Sequence, residues 1–194
     1  MSIMQQIRDY FERITPMSDQ EWDFFSSRLV RQSFPKKVMI LKAGEVEKYL
    51  SFAESGMLRY FLRRGKEELE EITYDFSFAG EFASGYSSLV TQLPAPFFVE
   101  SLTPVTLWRI SFEDLQEVYA HTQVGNRIGR YAAEQLFLEK AKRELSFLAE
   151  SAEERYLHLL TGQPQLIRQI PLKYLASYIG VTPQALSRIR KRIS

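Results

Sequence analysis

The sequence predicts an α+β chain in three consecutive parts: a β-rich region over residues 1–123, one long helix over 124–149 and a helix-turn-helix over 150–194. Three observations predict it. From about Phe34 to Ile110 the apolar residues recur with a period of two, in short segments broken by turn residues. Residues 124–148 then read as one uninterrupted helical pattern. The chain closes on LKYLASYIGVTPQALSRIRKRIS, in which a small residue, a glycine and an N-cap fall at helix-turn-helix spacing.

Each element has a local cause. Residues 3–14 and 18–31 carry helical periodicity, the second with Ser18 or Asp19 as N-cap and Glu21 in its first turn. Segments 38–42, 49–54, 57–63, 69–75, 97–101 and 106–110 are rich in β-branched and aromatic residues. Ala43-Gly44-Glu45, Ser55-Gly56, Arg64-Gly65-Lys66 and Thr103-Pro104 punctuate them. Short strands at this spacing make an antiparallel sandwich or barrel. Ser111 caps a helix over 112–121.

In the long helix, Val124, Ile128, Tyr131, Gln135, Leu138, Lys142 and Leu145 alternate spacings of four and three, a heptad seam broken by two polar positions. Leu136, Phe137, Ala141 and Leu148 lie off the seam, so one face can pack on the β-rich region and the other on a second copy. Ile128, Tyr131, Gln135 and Leu138 are the candidate homodimer contacts; the alternative is a helix buried within a monomer. Glu139 and Arg143 read as an i,i+4 pair on a solvated face.

In the last segment, Leu175 and Ile179 share a face of a first helix and Ala176 lets a second helix cross closely. Gly180 supplies a left-handed turn. Thr182 caps the next helix and Pro183 occupies its first position. Leu186 and Ile189 turn inward, leaving Gln184, Ser187, Arg188 and Lys191 outward. Such a face fits the major groove of double-stranded DNA. Arg188 can fork onto guanine and Gln184 onto adenine, with Ser187 useful at close approach. Thr182, Arg190, Lys191 and Arg192 are candidate phosphate contacts. Segment 166–170 is a candidate strand before this unit.

Charge sharpens the division. The chain carries a formal +1, yet residues 155–194 hold seven basic side chains and no Asp or Glu. Residues 1–154 keep 18 basic against 24 acidic. Positive charge thus gathers on the candidate DNA reader. The chain has no cysteine. That excludes disulfides, thiolate zinc and cysteine-held iron–sulfur clusters, and fits a cytoplasmic location. No apolar run reaches the ~20 residues of a membrane span. Its only histidines, His121 and His158, form no metal cluster. No nucleophile elbow or phosphate-binding glycine loop points to an enzyme. Tyr74, Phe76, Phe78, Phe82, Tyr86, Phe97 and Phe98 either line an apolar effector pocket or fill a core.

The layout resembles the bacterial cyclic-AMP receptor/FNR (Crp/Fnr) family of transcription regulators over nearly the whole chain. The landmarks are LKAGEVEKYLSFAESGMLRYF, with Gly44 and Gly56, and FSFAGEFASGYSSL, with Gly80, Glu81 and Phe82. The resemblance implies a cyclic-nucleotide-binding-type β-barrel (jelly roll), a dimerisation helix and a winged helix-turn-helix, with 166–170 as the strand before it and the wing reduced or missing, since no residues for a second strand follow Ser194. It assigns Gly80, Glu81 and Phe82 to effector binding, and implies double-stranded DNA, a second copy, a small-molecule effector and RNA polymerase as partners. Family members that take a cyclic nucleotide carry an Arg-Ser or Arg-Thr pair on its phosphate. Here that pair falls at Ala95 and Pro96, and no Lys or Arg lies between Lys66 and Arg109. The expectation is a regulator without cyclic nucleotide, haem or iron–sulfur cofactor. The competing class is a sensor that binds a small molecule or protein through its barrel and reads no DNA.

Overall fold

The computed structural model describes residues 2–64 and 70–193. Two helices open the chain, α1 (Ile3–Glu12) and α2 (Asp19–Ser26). Ser2 caps α1 through the Gln5 N–H, and Ser18 and Glu21 form a reciprocal capping box on α2. Helix α2 is shorter than its pattern suggested. Val30–Phe34 leaves the helix to form β1, because pairing with β8 (Val105–Ser111) satisfies its backbone along five residues.

The other strands are β2 (Met39–Leu41), β3 (Tyr49–Ser55), β4 (Met57–Arg64), β5 (Glu70–Phe78), β6 (Phe82–Ala83) and β7 (Phe98–Ser101). They form two four-stranded sheets, ordered β1-β8-β3-β6 and β2-β7-β4-β5. The expected barrel is therefore an open jelly roll of two sheets. The predicted turn at Arg64-Gly65-Lys66 extends beyond the described residues. Strand β3 pairs with β8 from Tyr49↔Ser111 to Ser55↔Thr106, with a bulge between Ala53 and Ser55. The corner after it needs Gly56. Its φ is +90°, and a Cβ there would lie 2.3 Å from the Pro104 carbonyl oxygen.

Leu41, Ala53, Leu58, Val99, Val105 and Leu107 are buried strand residues. A second cluster joins α1, α2 and the sheet through Ile7, Phe11, Phe25, Phe52 and Ile110, together with Leu89 of α3 (Tyr86–Thr91) and Leu115 and Val118 of α4 (Phe112–His121). Ser111 caps α4 by accepting from the Asp114 N–H.

Helix α5 (Gln123–Ala149) runs 27 residues, about 40 Å at the α-helical rise. It is followed by α6 (Ala152–Gly162), α7 (Pro164–Gln169), α8 (Leu172–Ile179) and α9 (Pro183–Ile193). The expected strand over 166–170 is thus a helix: Pro164 starts it, and Leu166 and Ile170 bury four residues apart at its end. The chain forms two compact units. One takes in the chain up to Tyr60 together with Phe76–Leu136; the other joins Phe61–Asp75 to Phe137 and beyond. Among the described residues, no helix is long and apolar enough to cross a membrane.

Candidate DNA interface and ligand cradle

Helices α8 and α9 build the helix-turn-helix as the sequence suggests. Leu175, Ala176, Ile179, Leu186 and Ile189 are all buried, and Gly180 ends α8 at φ +81°. Thr182 caps α9, its hydroxyl accepting from the Ala185 N–H at 3.2 Å. Gln184, Arg188 and Lys191 are exposed and Ser187 is half-buried. At 100° per residue these four share one face of α9. Thr182, Arg190 and Arg192 are exposed around it. Arg192 is paired with Glu153 at 2.6 Å, so it is already engaged within the chain.

The basic segment holds a second internal commitment. Arg155 turns inward, its Nε donating to the Ile179 carbonyl at 3.0 Å. On α5, Arg143 leaves the solvated face expected for it. Its Nη2 donates to the Tyr178 carbonyl at 2.7 Å and its guanidinium lies 3.8 Å from the Tyr178 ring centroid. Burial lowers the Arg143 pKa and raises that of Tyr178.

The seam residues divide. Ile128 packs against the α1–α2–α4 cluster of its own chain. Gln135 is exposed, as are Tyr131, Leu138 and Leu145, the last two at 57% and 64%. Phe137 and Leu148 are exposed beside them.

The effector residues named from the sequence lie at the turn before β6 and in β6 itself. Gly80, at φ +88°, and Glu81 form the turn before β6, where the Glu81 carboxylate accepts from the Phe78 N–H at 2.9 Å. The Phe82 ring stacks on Phe11 at 5.5 Å and packs edge-on against Tyr10 and Phe52. Phe76 and Phe97 are buried. The residues that do meet at the start of α3 escaped the sequence reading. Glu47, with a side chain only 7% exposed, accepts from the Gly85 N–H through Oε2 at 3.1 Å. Its Oε1 accepts from the N–H groups of Lys48 and Tyr49, and its own N–H donates to Ser88 Oγ. Arg109 Nη2 lies 3.9 Å from Glu47 Oε1 and its guanidinium covers the Tyr49 ring at 3.9 Å. Burial lowers its pKa, and Glu47 opposes that. The signal was one of two acids in GEVEKYL, beside Lys48, a charged stretch too common to single out.

Ala95 is buried, and it exchanges backbone bonds with the facing loop: its N–H donates to Glu45 O and its carbonyl accepts from Gly44 N–H. Pro96 has no N–H to offer. Neither the Ala95 nor the Pro96 side chain carries a hydrogen-bond donor.

His121 sits in the last turn of α4, with Nδ1 2.9 Å from the Glu117 carbonyl. His158 Nδ1 lies 3.2 Å from Glu150 Oε2. Among the described residues no group of three metal-ligating side chains gathers.

Comparison with known proteins bears on these elements. Residues 31–122 match the cyclic nucleotide-binding domain family. Three solved structures are similar over most of the chain. The c-di-GMP responsive global regulator CLP of Xanthomonas campestris is 18% identical, with a TM-score of 0.67 covering 91% of each chain. FixK2 of Bradyrhizobium japonicum is 15% identical, with a TM-score of 0.70 covering 85% of this chain and 84% of its own. A crp/fnr-family transcriptional regulator of Eubacterium rectale is 16% identical, with a TM-score of 0.68 covering 91% and 83%. No curated protein matches the sequence. The chain has the fold of the Crp/Fnr regulators, and its similarity to the cyclic nucleotide-binding domain family runs over residues 31–122.

Proposed function

We propose that the chain is a sequence-specific DNA-binding transcription regulator of Crp/Fnr type that pairs through α5 and does not respond to cyclic AMP. The observation that carries this is the outer face of α9. Gln184, Ser187, Arg188 and Lys191 project from a helix whose other side is anchored by Leu186 and Ile189, with no acid from residue 155 onward to repel phosphate. Pairing through Tyr131, Gln135, Leu138 and Leu145 covers apolar side chains now exposed, and two copies present two reading helices to half-sites about 34 Å apart. Double-stranded DNA and a second copy are therefore the partners, in a cytoplasmic protein that is not an enzyme.

The cradle supports the second half of the proposal. The Glu47 carboxylate takes the N–H that opens α3, and Ala95 and Pro96 bring no guanidinium or hydroxyl to it. Selection of sites from a random duplex library, without added ligand, tests the DNA reading. An enriched palindrome with half-sites one helical turn apart is expected. Failure to enrich, both alone and with a small-molecule cell extract, favours the sensor that reads no DNA. Calorimetric titration with cyclic AMP is expected to show no heat of binding; saturable binding overturns that part.

A further inference from the structure

The last turn of α8 and the glycine after it, Ser177 to Gly180, are held from three directions inside one compact unit. From β5, the Thr73 N–H donates to Ser177 Oγ at 2.8 Å, and that hydroxyl donates on to the Glu71 carbonyl at 3.2 Å. From α5, Arg143 donates to the Tyr178 carbonyl and stacks on its ring. From α6, Arg155 donates to the Ile179 carbonyl. The Phe147 ring meets both arginines, 4.8 Å from the Arg143 guanidinium and 4.6 Å from that of Arg155. It also abuts Gly180, where a Cβ would come within 2.8 Å of Phe147 Cε1.

The chemistry suits a helix end. The last carbonyls of a helix lack intrahelical donors and carry its negative pole. Two guanidinium groups answer both needs, and a planar fork stacked on rings holds one geometry where a lysine would swivel. Placing two cations beside one ring opposes them to each other, and Arg155 adds to the lowering of the Arg143 pKa. An arrangement made only to fill space would not need either charge.

The position on α5 gives the arrangement a role. At 100° per residue, Arg143 lies about 140° around the helix from Leu138, and Phe147 about 160° from Leu145. The same stretch of helix thus shows its proposed pairing seam on one side and grips the reading unit with the other.

We propose that Arg143, Phe147 and Arg155 are positioning residues that lock the recognition helix to the dimer helix, so that they set the operator spacing the protein accepts. The proposal rests on the DNA-reading dimer above. It makes the three residues indifferent to how well one half-site binds and decisive for how far apart two half-sites lie.

The test uses the full chain and the selected palindrome, with its centre lengthened or shortened by one or two base pairs, beside a duplex holding one half-site. Wild type is expected to show a sharp spacing optimum. Arg143→Ala is expected to lose that discrimination by about tenfold, the scale of a typical coupling between sites. Its half-site affinity and salt slope stay within about twofold, since no phosphate contact is removed. Arg143→Lys, which keeps one donor for the Tyr178 carbonyl, falls between. An equal loss on every duplex, half-site included, marks a merely structural residue and overturns the proposal, as does an unchanged spacing profile. Should Arg143→Ala fail to fold, Phe147→Leu is read against the same outcomes. Wild type that binds no duplex overturns the DNA reading and the joint with it; normal wild-type binding beside an unchanged Arg143→Ala profile overturns the joint alone.

Discussion

The β-domain and the helix-turn-helix treat charge in opposite ways. In the β-domain, charged side chains turn inward and meet each other. Arg59 is 1% exposed and donates to Glu100 at 2.8 Å, and Glu47 lies beside Arg109 while holding three backbone N–H groups. On α9, Gln184, Arg188 and Lys191 face water over an apolar anchor. A charge that is buried and bonded defines a shape; a charge held out on a rigid helix keeps its bonding capacity for another molecule. The same fold therefore carries a β-domain that consumes buried charges in building itself and, on the outer face of α9, a set of polar groups left to act.

The largest effect should come from breaking an inward pair. Arg59→Ala strands the Glu100 carboxylate in the sheet, at a cost of about 3–5 kcal/mol. Urea unfolding is expected to show it, while Arg59→Met with Glu100→Leu recovers much of the loss. A small effect from the single change would mean that water reaches the pair and that the contrast with α9 is one of degree. Next in size is Arg188→Ala, expected to cost about 1–3 kcal/mol of binding and to relax preference at one base position. Measured over all single-base variants of the selected site, a uniform loss would instead make Arg188 a phosphate contact.

What was legible in the sequence follows the same division. The helix-turn-helix depends on local chemistry, in the Gly180 turn, the Thr182 cap and the spacing of Leu186 and Ile189, and it could be read residue by residue. Strands β3, β4, β7 and β8 announced themselves by their alternation and by turns such as Ser55-Gly56. Strand β1 did not, because Val30 continues the helical pattern of α2 and only pairing with β8 tells it to extend. The segment at 166–170 misled in the opposite sense, since Leu166, Ile167 and Ile170 suit a strand until Pro164 is seen to open a helix. The surroundings of α3 were only partly legible. Gly80-Glu81 has the expected letters and forms the turn before β6, while the carboxylate at the start of α3 is Glu47, brought beside Arg109 across 62 positions of sequence by sheet pairing. Arg143 and Arg155 counted as surface charge for a related reason: nothing local says that the end of α8 lies beside them.

The capping boxes test whether the two regions differ where their chemistry is the same. Ser18 with Glu21 opens α2, and Ser151 with Glu154 opens α6. Ser151→Ala is expected to cost about 1 kcal/mol, read by thermal unfolding.

A smaller effect lies in pH. Both acids have pKa values below the ordinary carboxylate value of 4.5, Glu21 chiefly through the Ser18 hydroxyl and Glu154 chiefly through the Ser151 N–H. A folded pKa below the unfolded one means that the stabilisation is complete above the unfolded value and is lost as pH falls through the folded one. Between about pH 5 and pH 3 the Tm of wild type should therefore fall more steeply than that of Glu154→Gln, which keeps an acceptor for the Ser151 N–H without a proton to gain. Glu21→Gln should flatten the same limb by a similar amount. If only one of the two variants does so, the regions unfold separately in acid, and the contrast between inward and outward charge extends to how each holds together. If both do, the two share one cooperative transition, and the difference between them is confined to what their surfaces offer.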